Sequence, residues 1–152
     1  MAKRHPALIP VARDHHECLI LAQRLMRGGS ASDREWPPEP VLQAGRLADF
    51  FDRHLQQHFV IEEELVFPAA RSTSMQADDL VSQLLNEHRE MTRQIRDLAA
   101  NPQVTAAELA AFGEFLNAHI RLEDRQFFPL MEAEMSPEAL LELQRRVESR
   151  YA

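Results

Sequence analysis

Residues 58–68 read "HFVIEEELVFP", and residues 119–129 read "HIRLEDRQFFP". Aligned on the first residue, both carry His, then Glu four positions on (Glu62, Glu123), an acid at five (Glu63, Asp124), Phe at nine (Phe67, Phe128) and Pro at ten (Pro68, Pro129). The agreement extends upstream, where Phe51 matches Phe112 and Leu55 matches Leu116. Apolar residues around both segments recur at helical spacing. In a helix, residues four apart lie on one face about 5–6 Å apart, so His58 with Glu62 and His119 with Glu123 each present an imidazole and a carboxylate together.

The helices before these two repeat as well. From His15 the positions at +3, +7 and +10 are Cys18, Ala22 and Leu25; from His88 they are Met91, Ile95 and Leu98, and an acid precedes each histidine (Asp14, Glu87). The chain is thus two copies of one helical hairpin, with a lone His on the first helix and His-x-x-x-Glu on the second. This pattern predicts an all-α fold, an up-down-up-down four-helix bundle with a short additional C-terminal helix. The core helices are expected at about 10–27, 41–71, 79–100 and 105–134, and the last at about 137–150. Gly28 ends the first helix, and "GGSASDREWPPEP" at 28–40 is loop chemistry in which Trp36 is placed to cover one end of the core. "STSMQADD" and "NPQVT" are short connections; Thr105 with Glu108 forms a capping-box pattern, and Ser136 with Pro137 opens the last helix.

The inward faces are Val11, His15, Cys18, Ala22 and Leu25; Leu47, Phe51, Leu55, His58, Glu62 and Leu65; and Leu84, His88, Met91, Ile95 and Leu98. Counting along antiparallel helices at about 1.5 Å per residue brings the four histidines to one depth. Six side chains then converge: His15, His58, Glu62, His88, His119 and Glu123. Any one alone is an ordinary core histidine or a solvated acid. Buried together without a cation, they leave unpaired polar groups and two buried charges. Imidazole with carboxylate suits iron, zinc, manganese or copper, and two central carboxylates are well placed to bridge two ions. Two octahedral ions offer about twelve positions; the four nitrogens, two bridging carboxylates and a bridging oxide or hydroxide fill about ten, leaving about two open.

Composition fits a single globular helical domain: 152 residues, 45% hydrophobic, 27% charged and only 4 Gly. A net charge of −7 with scattered Lys and Arg disfavours nucleic acid as a partner. No segment has the roughly 20 apolar residues of a membrane helix, and the N-terminus has no apolar run of signal-peptide length. With one cysteine, Cys18, and so no internal disulfide, a cytoplasmic location is expected. Cys18 and Met91, at equivalent inward positions, are expected to pack.

"DHH" at 14–16, "HFVIEEELVFP", "NEHREM" at 86–91 and "HIRLEDRQFFP", in this order over residues 10 to about 131, resemble the hemerythrin-like (HHE cation-binding) domains. The resemblance implies one such domain over 1–152 and two iron ions bridged by two carboxylates and an oxide or hydroxide. The ligands it implies are His15, His58, Glu62, His88, His119 and Glu123. It also implies oxygen, nitric oxide or peroxide as small-molecule partners, in sensing, buffering or stress defence. A di-iron enzyme reducing peroxide or nitric oxide, or a bundle with a single structural metal, is the alternative; no motif names a protein partner. Ferritin-like carboxylate proteins use Glu-x-x-His, and no histidine here has Glu three positions before it.

The chain departs from the oxygen-carrying hemerythrins on helix three, where Leu84 and Thr92 flank His88 and a second histidine is missing. His54, one turn before His58, is a fifth candidate imidazole or an outer polar residue. His16 lies off the inward face, although a one-residue slip would exchange it for His15. His5 is expected in solvent, Glu63 and Asp124 are expected as helix-surface acids, and Pro68 and Pro129 as kinks beyond the glutamates.

Overall fold

The structure, a computed structural model, describes residues 3–29 and 33–152. Helix α1, Ile9–Arg27, buries the expected face of Val11, His15, Cys18, Ala22 and Leu25. It stops at Gly28, whose φ of +70° is open to glycine at little cost and lets its N–H reach the Arg24 carbonyl at 2.9 Å. Part of the loop that follows, residues 30–32, lies outside the described residues. Trp36 is buried as expected and carries the Arg24 guanidinium 5.8 Å from its ring centre, while Arg24 also binds Asp33 at 2.9 Å.

Helix α2 occupies residues 40–70, α3 is Met75–Ala100, α4 occupies 106–134 and α5 is Pro137–Tyr151. Helix α3 begins four residues before the expected start because the Ser74 side chain accepts the Ala77 N–H at 3.1 Å and so caps it. The Thr105–Glu108 capping box forms in both directions, and Ser136 caps α5.

Just before the two prolines, α2 and α4 widen into π-helical turns, Glu62–Val66 and Glu123–Phe127. The Phe67 N–H reaches back five residues to the Glu62 carbonyl, and Phe128 does the same to Glu123. A proline ring crowds the carbonyl four residues before it and brings no N–H. The wider turn makes room for Pro68 and Pro129 without ending either helix. It also inserts a residue into the helical register, which is how Leu65, Val66 and Phe67 can all be buried in succession, as can Phe127 and Phe128. A further π turn, Phe51–Leu55, interrupts α2 one turn before His58 and has no counterpart in α4.

Helix α1 packs closely on α4, where a methyl group in place of the Gly113 hydrogen would lie only 2.8 Å from the Ala22 carbonyl oxygen. Two apolar clusters result. One contains Val11, Leu65, Phe67, Leu84, Phe127 and Phe128 together with Leu140, Leu143 and Val147 of α5. The other contains Cys18, Leu55, Phe59, Met91, Leu116 and Ile120, so Cys18 and Met91 pack as expected. The six candidate ligands form a polar layer between the two clusters.

Candidate metal centre

All six predicted residues are buried, and the two glutamates are wholly so. Their inner atoms face one another. The Glu62 Oε1 lies 3.3 Å from His58 Nε2 and 3.1 Å from His88 Nε2; the Glu123 Oε1 lies 3.3 Å from His15 Nε2 and 3.5 Å from His119 Nε2. Each carboxylate therefore spans two imidazoles from different helices. Donor atoms of His15, His58, Glu62 and Glu123 lie within 4.8 Å of one another, and so do those of Glu62, His88 and His119. The two groups share Glu62. In each, two histidine rings sit with centroids 5.0 Å apart, His15 with His58 and His88 with His119.

The outer edges of the four imidazoles are all occupied. The Nδ1 of His15 is 2.8 Å from Asp124, that of His58 2.9 Å from Asp14, that of His88 2.8 Å from Glu63 and that of His119 2.7 Å from Glu87. An ionised carboxylate only accepts, so each Nδ1 carries a proton and each Nε2 is directed inward, where it offers a lone pair when the ring is neutral. These four bonds also close a ring through the fold, linking α1 to α2, α2 to α3, α3 to α4 and α4 to α1.

Four Nε2 atoms and all four oxygens of Glu62 and Glu123 are buried with no hydrogen-bond partner. An unsatisfied buried polar atom costs about 1–3 kcal/mol, and more when charged. Eight such atoms would consume a domain's net stability of about 5–15 kcal/mol. A cation among them removes that cost, and the donor set of imidazole nitrogen and carboxylate oxygen fits one.

Protonation shows the same strain. Burial opposes charge on His15 and His88, but the nearby carboxylates of Asp124 and Glu123 in one case, and of Glu62 and Glu63 in the other, overcome it and raise both to about 9. Burial likewise opposes charge on His58, yet the Glu62 and Asp14 carboxylates hold it well above its ordinary value. His119 goes the other way, lowered first by burial and then by the neighbouring His88. Burial and the charge of Glu62 push Glu123 up to about 8, whereas Glu62, despite its burial, is held well below the carboxylate range by His58.

Sequence reasoning missed the outer acids. Glu63 is exposed and Asp124 part-exposed, as expected of helix-surface acids, but they also hold His88 and His15, and the repeated acids before the histidines, Asp14 and Glu87, hold His58 and His119. Their recurrence in both hairpins was the available signal. His16 is exposed, which leaves His15 as the inward residue. His5 is only part-exposed, its N–H donating to Glu132. His54 is not part of either donor group; its Nε2 lies 3.5 Å from the Asp14 carbonyl oxygen. His54→Ala is accordingly expected to leave the number of bound ions unchanged, as measured by metal analysis of the purified variant.

No curated protein and no solved structure matches the chain significantly. Residues 10–131 match the family model described as the hemerythrin HHE cation binding domain, a span that contains all six inner residues and all four outer acids. The chain belongs to the hemerythrin HHE cation-binding domain family.

Proposed function

We propose that the chain holds a non-haem di-iron centre, with His15 and His58 on one ion, His88 and His119 on the other, and Glu62 and Glu123 bridging them. The observation that carries this reading is the set of eight inward-facing donor atoms without partners, with each glutamate placed between a histidine of either pair. Two carboxylates and four neutral imidazoles give a charge of −2, which offsets half the charge of two divalent cations. Helices α1 and α3 run from the Val11 and Leu84 side of the layer to the Cys18 and Met91 side, while α2 and α4 run the opposite way. This supports an up-down-up-down bundle.

When bound, two iron ions with open coordination positions supply reversible binding of a diatomic molecule. The chain's own groups set the conditions for it. The outer acids keep each Nδ1 protonated and each Nε2 aimed inward. Phe59 stacks on His88 at 3.8 Å, Phe128 lies parallel to His15 at 5.6 Å, and the two apolar clusters keep water from the layer on either side. The function we assign is engagement of oxygen, nitric oxide or iron itself for sensing, buffering or stress defence.

Metal analysis of protein produced in iron-replete medium tests this reading. About two irons per chain with visible absorption is the expected result; colourless protein with one zinc would refute it. Leu84 is fully buried one turn before His88. Leu84→His is expected to retain two irons while lowering affinity for nitric oxide, because the added imidazole competes for an open position. Spectroscopic nitric oxide titration measures the change.

A further inference from the structure

Helix α5 has no counterpart in the repeated hairpins and lies beyond the family match. Leu140, Leu143 and Val147 bury it against the cluster that contains Phe67 and Phe127. Its last turn is tied down twice. Arg150 binds Glu64 at 2.8 Å, in the π turn that begins at Glu62, and the Tyr151 hydroxyl donates to Asp14 Oδ2. That same oxygen accepts from His58 Nδ1. A path of two hydrogen bonds therefore runs from the last turn of α5 to an inner imidazole.

The repeat supplies an internal comparison. Glu87, the equivalent of Asp14, accepts from His119 through one oxygen and from Gln83 of its own helix, at 2.9 Å, through the other. Both acids thus receive a second donor, but Asp14 receives it from a separate element. Two donors at one oxygen restrict where the carboxylate can sit, and the carboxylate in turn sets the plane of the His58 ring. Tyr151 lies at the surface, and the buried stripe of Leu140, Leu143 and Val147 seats the helix that carries it.

We propose that Tyr151 is a positioning residue for the centre: its hydroxyl holds Asp14 and, through Asp14, the imidazole of His58, so that α5 fixes one half of the metal-binding layer. This rests on the assignment of His58 as a ligand. The consequence is an inequivalent pair of ions, because of the four outer acids it is Asp14, in the His15 and His58 half, that accepts a hydrogen bond from α5.

Tyr151→Phe removes the hydroxyl and keeps the ring, and the test is titration of the metal-free protein with Co(II). Affinity for one of the two ions should fall about 3–10-fold, less than the ~10–100-fold expected for Asp14→Asn, which removes the direct partner. In the Co(II)-loaded protein one of the four exchangeable imidazole N–H resonances should shift, a change that loss of packing alone does not produce. Unchanged affinities and resonances in Tyr151→Phe, with Asp14→Asn weakening one ion, would overturn the role of Tyr151 and leave the two-ion centre standing. Failure of the unaltered protein to take up two Co(II) ions would overturn the centre and this inference with it.

Discussion

On the di-iron reading, Glu62→Gln is expected to lower the iron content of the purified protein from two per chain to one or none, with loss of the visible absorption. The expectation follows from where Glu62 sits. Its Oε1 is within 3.3 Å of His58 and 3.1 Å of His88, which belong to different halves of the layer, and Glu62 is the residue common to both donor groups. Removing its charge therefore weakens both ions at once. The amide keeps the size of the side chain but leaves four imidazoles facing two divalent cations with one carboxylate. Glu63→Gln is the matched control, since Glu63 touches only the outer edge of His88. Loss of such an outer partner typically costs about 10–100-fold in metal affinity, so Glu63→Gln should keep two irons at high metal concentration where Glu62→Gln does not. Two irons with an unaltered spectrum in Glu62→Gln would show that this carboxylate is no bridge.

The contrast between Glu62 and Glu63 also marks what a sequence can convey. His58 and Glu62 were legible because helical periodicity places them on the face that carries Phe51, Leu55 and Leu65, and because His119 and Glu123 repeat the spacing. Periodicity assigned Glu63 to another face, about 100° round the helix, and stopped there. It holds no information about the neighbouring helix, whose histidine lies in the groove that Glu63 borders. The partners of Asp14, Glu87 and Asp124 were hidden for the same reason, and Tyr151 could not be found at all, being 137 positions from Asp14 in the chain.

The prolines show a different limit. A kink was the natural inference from a missing N–H, and the π turn that accommodates each ring was not foreseen. The turn depends on packing. Phe67 and Phe128, which close the two π turns, are both buried beside the layer, so the extra residue of each turn is fitted to the packing there. The exact reach of α3 depended likewise on a local bond, the Ser74 cap, in a segment whose composition alone suggested a connection.

The stability gap between metal-loaded and metal-free protein should widen as pH rises from about 6.5 to 9. Without metal, the folded state holds protons on His15 and His88 up to about 9, on His58 above its ordinary value and on Glu123 up to about 8. The unfolded chain releases the imidazole protons near 6.5 and the carboxyl proton near 4.5. In each case the folded state binds the extra proton, so the associated stability is present below the unfolded value and is lost as pH rises through the folded one. His119, shifted downward, acts in the opposite sense but completes its change by about 6.5, below this window. The melting temperature of metal-free protein should therefore fall from pH 6.5 to 9. Metal needs neutral imidazoles and ionised carboxylates, the forms favoured at the upper end of the window. Metal affinity should rise across the same range, and the gap between the two melting temperatures should widen. Towards acid the competition reverses: protons return to the four imidazoles and Glu123, metal is released, and the visible bands fade while the helices, with their separate apolar clusters, persist. Parallel thermal melts at several pH values, with circular dichroism and absorbance followed together in acid, measure both effects; a gap that narrows as pH rises would show that these histidines are not the ligands.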